Sequence, residues 1–177
     1  LVHMLDSARY GMTDYNLTAD PYAQNASNWA HNNGIVEWGN DYLATARYQG
    51  IFKFNKAGGI EWIISPHGYL KLLLNPLHAD GTPITDPDVI AGTKNCDDFE
   101  WPWGCHTAVP LPNGHIFYFN NGYGRNFKLD FTDRKNVYTC GIEYEVDEVN
   151  RTVRQVWQYG KERGTAYFTP ARSGVQY

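Results

Sequence analysis

The sequence contains few charged residues, no basic cluster, no long helical segment and no long hydrophobic run. Only 19% of its 177 residues are charged and its formal net charge is −4, which argues against nucleic acid as a partner. The apolar runs are too short for a membrane-spanning helix, so no membrane span is expected. Apolar residues do not recur with helical spacing over any long segment, which argues against a helical bundle.

Aromatic residues are abundant instead. They make up 15% of the chain, with 13 Tyr and 6 Trp, and they are accompanied by 17 Gly and 9 Pro. Aromatic side chains suit the half-buried face of a strand, whereas Gly and Pro favour tight turns. The composition therefore predicts an all-β fold built from short strands.

Cysteine is also scarce, with only Cys96, Cys105 and Cys140 in the chain. The first two flank an irregular, Trp-rich segment and are expected to close it as a disulfide in an oxidising compartment. The third would then stay free or pair outside this chain. Three N-glycosylation-type sequons agree with export, at Asn16, Asn25 and Asn150. We therefore expect a periplasmic or secreted protein.

An internal repeat is visible once the loops are set aside. The segment HNNGIVEWGNDYLATARYQGIFKFNKAGGIEWII resembles the later pieces CHTAVPLPNGHIFYFNNG and YTCGIEYEVDEVNRTVRQVWQYG. Each copy reads as four strands joined by turns, and the fourth strand carries a tryptophan, Trp62 or Trp157. This order is typical of a β-propeller blade. A single blade cannot bury both of its faces, so blades stack around an axis.

The repeat divides the chain into four predicted parts. These are a first blade at 28–64, a long inter-blade loop at 65–103, a second blade at 104–160 and the start of a next blade at 161–177. A closed propeller needs at least four blades. We therefore expect two to three blades of a partial propeller, with the remainder of the propeller elsewhere in a longer protein.

Two histidines begin the first strand of their blades, His31 and His106. If they occupy the same place in the repeat, both face one central pocket, where they can bind a metal, move protons or donate hydrogen bonds to an anion. Metal binding is the weaker interpretation, because no carboxylate or cysteine recurs with them at ligand spacing. Taken singly, each histidine is more simply structural. His67, His78 and His115 have no matching partner and are expected to be structural or exposed.

The segment NNGYGRNF adds a candidate positive charge. Its glycines allow sharp turns, from which Arg125 is expected to project, and an arginine fork suits tetrahedral oxyanions such as sulfate or phosphate. An ordinary solvated arginine is the alternative. The side chains of Asn33, Asn120 and Arg47 can contribute further donors. Together these residues predict an oxyanion site with neutral donors and a fixed positive charge.

Several motifs resemble the bacterial arylsulfate sulfotransferases that work without the nucleotide sulfate donor PAPS. The resemblance runs from about residue 28 to the end of the chain, and the sequence Tyr-Gly-Lys-Glu-Arg-Gly is its most specific part. The motifs are NWAHNN, LATARYQGIFKF, IEWII, FEWPWGCHTA, NNGYGR and VWQYGKERGTAYFTP.

This resemblance implies a six-bladed propeller that transfers a sulfuryl group from an aryl sulfate to a phenolic acceptor without a cofactor. Transfer would be ping-pong, through a sulfated histidine that lies in a later blade, beyond Tyr177. His31, His106 and Arg125 match the pocket of the family and would hold the sulfuryl group. Aromatic residues such as Trp103 and Tyr123 can stack on a phenol ring, although core packing explains them equally well.

Two alternatives to this enzyme stay open. One is a propeller that serves as a non-catalytic binding or structural module, and the other, less favoured, is a metal-dependent hydrolase. The expected partners are a small aryl sulfate, a phenol, the rest of the propeller and, as a further possibility, a second copy of the chain.

Overall fold

A computed structural model describes residues 31–68, 70–128 and 130–176, and these ranges form two sheets with little helix. The first sheet contains strands β1 (Asn32–Trp38), β2 (Asp41–Ala46), β3 (Gly50–Asn55) and β4 (Ile60–Ile64). The strands lie side by side in chain order, each antiparallel to the next. The tight turn between β1 and β2 depends on Gly39, whose φ of 61° is a backbone conformation that glycine adopts without strain.

The second sheet takes one strand from the connection and four from the second repeat. Its strands are β5 (Asn75–Leu77), β6 (His106–Pro110), β7 (Ile116–Asn120), β8 (Cys140–Asp147) and β9 (Thr152–Tyr159), in the spatial order β5-β9-β8-β7-β6. Strands β6 to β9 are antiparallel neighbours, whereas β5 adds parallel to β9 at the outer edge. The prediction of an all-β chain is confirmed.

The segment predicted as an irregular loop contains more structure than β5 alone. A short helix, α1 (Pro87–Ile90), begins after Asp86, whose carboxylate accepts hydrogen bonds from the backbone N–H groups of Asp88 and Val89. After β9 the chain forms a 3-10 helix at Lys161–Tyr167, and no strand follows it within the described residues. The sequons at Asn16 and Asn25 lie outside the described residues, while Asn150 is exposed in the turn between β8 and β9.

The first strands of the two repeats share one irregularity. In the pairing of β1 with β2, Asn33 is an extra residue between two paired positions. In the pairing of β6 with β7, Thr107 is extra in the same way. Such bulges bend a strand and redirect its side chains. The two bulges can therefore be used to align β1 with β6 residue by residue.

Aligning the bulges corrects the predicted equivalence of the two histidines. The residue before each bulge is Asn32 in β1 and His106 in β6, so His31 lies one position earlier than the equivalent of His106. The expectation that both histidines occupy the same place is wrong by one residue. The reason is that the bulge, which the sequence pattern does not reveal, fixes the register of the strand.

A single hydrophobic cluster joins the two sheets. Strand β6 packs beside β1 and β2, which brings the beginnings of the two first strands together. Full burial of a large apolar side chain stabilises the fold by roughly 1.5 to 3 kcal/mol. The cluster includes Leu43, Ile51, Trp62, Trp101, Trp103, Ile116, Tyr118, Ile142 and Tyr144. The cluster therefore holds β6 against β1 and β2, and the candidate site lies where β1 and β6 begin.

The expected disulfide between Cys96 and Cys105 is absent, and all three cysteines are free. The two thiols lie in different surroundings and have different partners. The thiol of Cys105 lies in the core and points to the carbonyl of Gly50, at 3.6 Å. The thiol of Cys96 is half-buried at the edge of the connection and donates to Asp98. No helix among the described residues has the length and apolar character needed to cross a membrane.

Candidate active site

The two first strands are connected where they begin. Asn33, the bulge residue of β1, donates from its side chain to the carbonyl of Cys105 at 2.8 Å and accepts from the hydroxyl of Thr45 at 2.6 Å. A Cβ added to Gly34 would lie 2.7 Å from that hydroxyl and 3.4 Å from the backbone of Thr107, so only glycine fits the crossing. Asn33 is thus a link between the sheets, and its predicted role as a substrate donor remains a prediction.

His106 lies at this crossing with one ring nitrogen firmly held. Its Nδ1 is 2.6 Å from the side-chain oxygen of Asn121 and 3.2 Å from the carbonyl of Gly104. The amide of Asn121 is itself oriented, because its nitrogen donates to the carbonyl of Thr169 at 2.7 Å. Both neighbours of Nδ1 are therefore acceptors, so Nδ1 carries the hydrogen. In the neutral ring, Nε2 is left with a lone pair.

The surroundings of His106 favour that neutral ring. Burial lowers the pKa of His106 below its ordinary value of 6.5, and the positive charge of Arg47 lowers this pKa further, while the hydrogen bond to Asn121 acts in the opposite direction. At pH 7 the ring is mostly neutral, so its Nε2 has a lone pair that can accept a proton. It becomes an N–H donor, the role that the sequence predicts, only after it takes up a proton.

Arg47 follows β2 and is only 3% exposed. Its Nη2 donates to the carbonyl of Pro170 at 2.7 Å, and the guanidinium lies 4.3 Å from the centre of the Tyr123 ring. Stacking of this kind stabilises an arginine that has left water. The positive charge of Arg47 also lowers the pKa of His106, so Arg47 lies within electrostatic reach of that ring.

His31, the residue just before β1, contacts the chain around Arg47. Its carbonyl accepts from the backbone N–H of Arg47 at 3.1 Å, and its half-buried ring meets Tyr48 edge-on, with the ring centres 5.6 Å apart. The backbone of His31 has a φ of 48°, which a residue without glycine's freedom adopts at some cost in strain. His31 is therefore linked to Arg47 through the backbone, and the charge of Arg47 acts on the ring of His106.

A small cavity opens beside Arg47. Its volume is about 20 Å³, and its walls include Tyr48, His67, Trp103 and Tyr123. A cavity of this size holds about one water molecule. The predicted aromatic residues Trp103 and Tyr123 thus share a wall with Arg47, but the space between them does not admit an aryl ring in this conformation.

Arg125 is turned inward and does not project from its loop as predicted. It is 2% exposed, its Nε donates to Glu100 at 2.6 Å, and its Nη1 donates to the carbonyls of Asn136 and Tyr138 at 2.8 and 3.2 Å. The guanidinium also covers the ring of Tyr138, 3.6 Å from its centre. Only Nη2 has no hydrogen-bond partner among the described residues. The nearby carboxylate and carbonyls explain the inward direction.

Asn120 is a fully buried clamp. Its oxygen accepts from the backbone N–H groups of Trp103 and Gly122 at 3.0 and 3.2 Å, and its nitrogen donates to the carbonyl of Trp101 at 2.8 Å. A Cβ on Gly122 would lie 2.1 Å from the carbonyl of Tyr138, so this turn requires glycine. These contacts fix the Trp-rich segment to the end of β7.

Two buried residues, Asn121 and Glu100, were missed by sequence reasoning, whereas His67 was expected to be structural or exposed and is buried. Asn121 adjoins the predicted Asn120, and only the direction of its side chain distinguishes the two. Glu100 stands in the motif FEWPWGCHTA but has no carboxylate partner there that would signal catalysis. The Nε2 of His67 lies 2.8 Å from the carbonyl of Tyr48, and burial lowers the pKa of His67 to about 4.

The chain is thus an all-β protein built from two similar sheets, with a histidine at the beginning of each first strand, His31 before β1 and His106 in β6. A family model described as arylsulfotransferase (ASST) matches residues 1–177. The chain belongs to the arylsulfotransferase family.

Curated relatives agree with this assignment. The arylsulfate sulfotransferase AssT of Escherichia coli O6:H1 is 35% identical over 157 residues, which is 85% of this chain and 26% of the relative. The protein of the same name from Lelliottia amnigena is 34% identical over the same shares. The chain therefore spans about a quarter of the length of these relatives.

Proposed function

We propose that this chain is part of a β-propeller enzyme that transfers a sulfuryl group from an aryl sulfate to a phenolic acceptor. Family membership and the names of the relatives support the class of reaction. The observation that carries the proposal is His106, whose Nδ1 is held by Asn121 so that Nε2 keeps the lone pair of the neutral ring, and whose pKa is lowered by burial and by the charge of Arg47.

Sulfuryl transfer resembles phosphoryl transfer in that charge gathers on the oxygens around the central atom. A preorganised cation stabilises that charge better than mobile water does. Arg47 supplies a cation that a carbonyl and an aromatic ring already hold in place. We assign Arg47, together with His31, to the oxygens of the sulfuryl group.

The protons of the reaction are assigned to His106. In the first step the bond between sulfur and the aryl oxygen breaks, the sulfuryl group passes to a histidine nitrogen elsewhere in the protein, and protonated Nε2 gives its proton to the leaving phenolate. In the second step the acceptor oxygen attacks sulfur, and Nε2 takes the hydroxyl proton. This ping-pong cycle returns His106 to its starting state.

The other predicted ligands keep narrower roles. Arg125 can meet a sulfuryl oxygen only through Nη2, because Glu100 and two carbonyls occupy its other nitrogens. Trp103 and Tyr123 are 5% and 4% exposed, so stacking on an aryl ring requires the segment that covers Arg47, near Pro170, to move aside. Asn33 and Asn120 are proposed to hold the pocket in shape.

A propeller is proposed for the whole protein because both sheets repeat one meander with one bulge. The outer face of the second sheet also carries aromatic side chains in contact. Phe117 meets Trp157 with ring centres 5.8 Å apart, and Trp157 stacks on Tyr159 at 6.2 Å, while Trp157 and Tyr159 are 45% and 49% exposed. A further blade would cover this face. Six blades and a periplasmic or secreted location remain predictions.

The test uses the full-length protein with 4-nitrophenyl sulfate as donor, phenol as acceptor and no PAPS. We expect release of 4-nitrophenol that depends on phenol, with phenyl sulfate formed in equal amount. Release of 4-nitrophenol together with inorganic sulfate would indicate a hydrolase. Binding of the donor without release, by a folded protein, would favour the non-catalytic module, which the nearly filled cavity beside Arg47 also fits.

A further inference from the structure

Three potential metal ligands meet at the edge of the connection, apart from the histidine pocket. His78 follows β5, while Cys96 and Asp98 come after α1. The Nδ1 of His78 is 3.0 Å from one oxygen of Asp98, and the thiol of Cys96 is 3.0 Å from the same oxygen. One ligand atom from each residue lies within 4.8 Å of the other two.

The backbone already holds these residues in place. His78 donates its N–H to the carbonyl of Thr82 at 2.8 Å and accepts from Gly81 at 2.9 Å, which closes a tight turn. The second oxygen of Asp98 accepts from the backbone N–H of Ala79 at 2.9 Å. A ligand whose remaining polar atom is already bonded loses little freedom when it binds an ion.

The spacing fits a small tetrahedral ion. Bonds of about 2.0 to 2.3 Å to oxygen, nitrogen and sulfur place the ligand atoms of such an ion roughly 3.3 to 3.7 Å apart. The two separations of 3.0 Å, bridged by protons, would open by a few tenths of an ångström. The third separation would close from at most 4.8 Å. Side-chain rotations suffice for both changes.

We propose that His78, Cys96 and Asp98 bind a divalent zinc-type ion, with water in the fourth position. Sulfur, nitrogen and oxygen together suit Zn²⁺, whereas Ca²⁺ and Mg²⁺ take oxygen ligands. Binding releases the thiol proton of Cys96 to solvent and moves the hydrogen of His78 to Nε2. A thiolate, a carboxylate and a neutral imidazole then balance the charge of the ion.

The ion would close the connection between the two repeats. Its ligands come from both ends of the segment that contains α1, so one ion would fix that segment to the outer edge of the second sheet. No ligand belongs to the pocket of His31, Arg47 and His106. The ion is therefore expected to stabilise the fold. It is not expected to take part in sulfuryl transfer directly.

The test is titration of the metal-free, reduced full-length protein with Zn²⁺ and, separately, with Co²⁺. We expect one ion per chain, and a thiolate-to-cobalt charge-transfer band that demonstrates sulfur ligation. Cys96→Ser should abolish that band, because Cys105 and Cys140 are buried in the core. His78→Gln and Asp98→Asn should each weaken Zn²⁺ binding by at least about 100-fold, since losses in the outer shell alone cost 10- to 100-fold.

A matched control is His115→Gln. His115 also pairs with a carboxylate, Glu143, at 2.6 Å, but the pair is not part of the three-ligand cluster. Its substitution should leave Zn²⁺ affinity unchanged. The proposal is overturned if the unsubstituted protein binds no ion in the micromolar range or tighter, or if the cobalt band survives in Cys96→Ser. Both readouts are independent of sulfuryl transfer.

Discussion

Two buried arginines, Arg47 and Arg125, stand in contrasting surroundings. Both are at most 3% exposed and both stack on a tyrosine ring. Arg125 faces the carboxylate of Glu100, so the positive charge is neutralised where it lies. Arg47 faces the carbonyl of Pro170 and lowers the pKa of His106. The two arginines are equally buried, so the difference between them lies in the group that each guanidinium acts on.

The comparison assigns the two regions different tasks. The ion pair of Arg125 and Glu100 joins the turn after β7 to the Trp-rich segment, and because its two charges cancel it exerts little field at a distance. A cation whose charge reaches a titratable ring sets the protonation of that ring. Substitutions should therefore affect mainly stability at Arg125 and Glu100, and mainly catalysis at Arg47 and His106.

The largest expected effect on stability comes from Glu100→Gln. This change leaves Arg125 buried without its countercharge, and breaking a buried pair in this way typically costs about 3 to 5 kcal/mol. Urea unfolding of the full-length protein would measure the loss. Lys94→Ala removes an exposed pair with Asp86 and should leave the free energy of unfolding unchanged. Equal losses of unfolding free energy in Glu100→Gln and Lys94→Ala would show that Arg125 does not depend on its countercharge for stability.

The next effect concerns acid stability and His67. Because burial lowers the pKa of His67 to about 4, the unfolded chain binds a proton between pH 6.5 and pH 4 that the folded protein does not. The free energy of unfolding should fall by about 3 kcal/mol as pH drops through this window. His67→Gln should flatten this dependence relative to the unsubstituted protein. An equally steep fall in that variant would assign the acid sensitivity elsewhere.

A smaller effect is expected from Asn121→Leu. Asn121 is a positioning residue, since it acts through Nδ1 of His106, and one such hydrogen bond contributes about 1 to 3 kcal/mol, or roughly 5- to 150-fold in rate. Without it the pKa of His106 should also fall, because this bond raises it. The pH dependence of kcat/KM would report both changes. An unaltered pH profile with lower activity would indicate a merely structural role.

The smallest effect is a shift in pH dependence on Arg47→Gln. Loss of the positive charge should raise the pKa of His106, so the acid limb of the profile of kcat/KM for the phenol acceptor, whose attack needs the neutral ring, moves to higher pH. Arg125→Gln, whose charge is already paired, should leave the limb in place. NMR titration of the His106 ring in each folded variant gives the same comparison without substrate. Identical shifts in the two variants would contradict the account.

Sequence reasoning predicted the all-β class because abundant aromatic, Gly and Pro residues favour short strands and turns, and because no segment shows helical spacing. It did not predict β5 or α1, because a three-residue strand and a one-turn helix leave no periodic pattern. It also placed His31 and His106 at equivalent positions, since a bulge is invisible in residue types.

Side-chain direction is what the sequence could not supply. Nothing in the pair Asn120 and Asn121 shows which side chain clamps the backbone and which orients His106. The inward direction of Arg125 depends on Glu100, which lies 25 residues earlier in the chain. Similarly, His78 and Cys96 meet only because β5 joins the second sheet, so their shared site is a product of the topology.

The central claim is that His106 carries the protons of sulfuryl transfer. The most direct measurement is the rate of phenyl sulfate formation from 4-nitrophenyl sulfate and phenol by full-length His106→Gln, beside His115→Gln. Loss of a positioned acid and base typically costs about 10²- to 10⁴-fold. We predict a loss in this range for His106→Gln with its fold intact, and none for His115→Gln. Equal rates in the two folded variants would contradict the account.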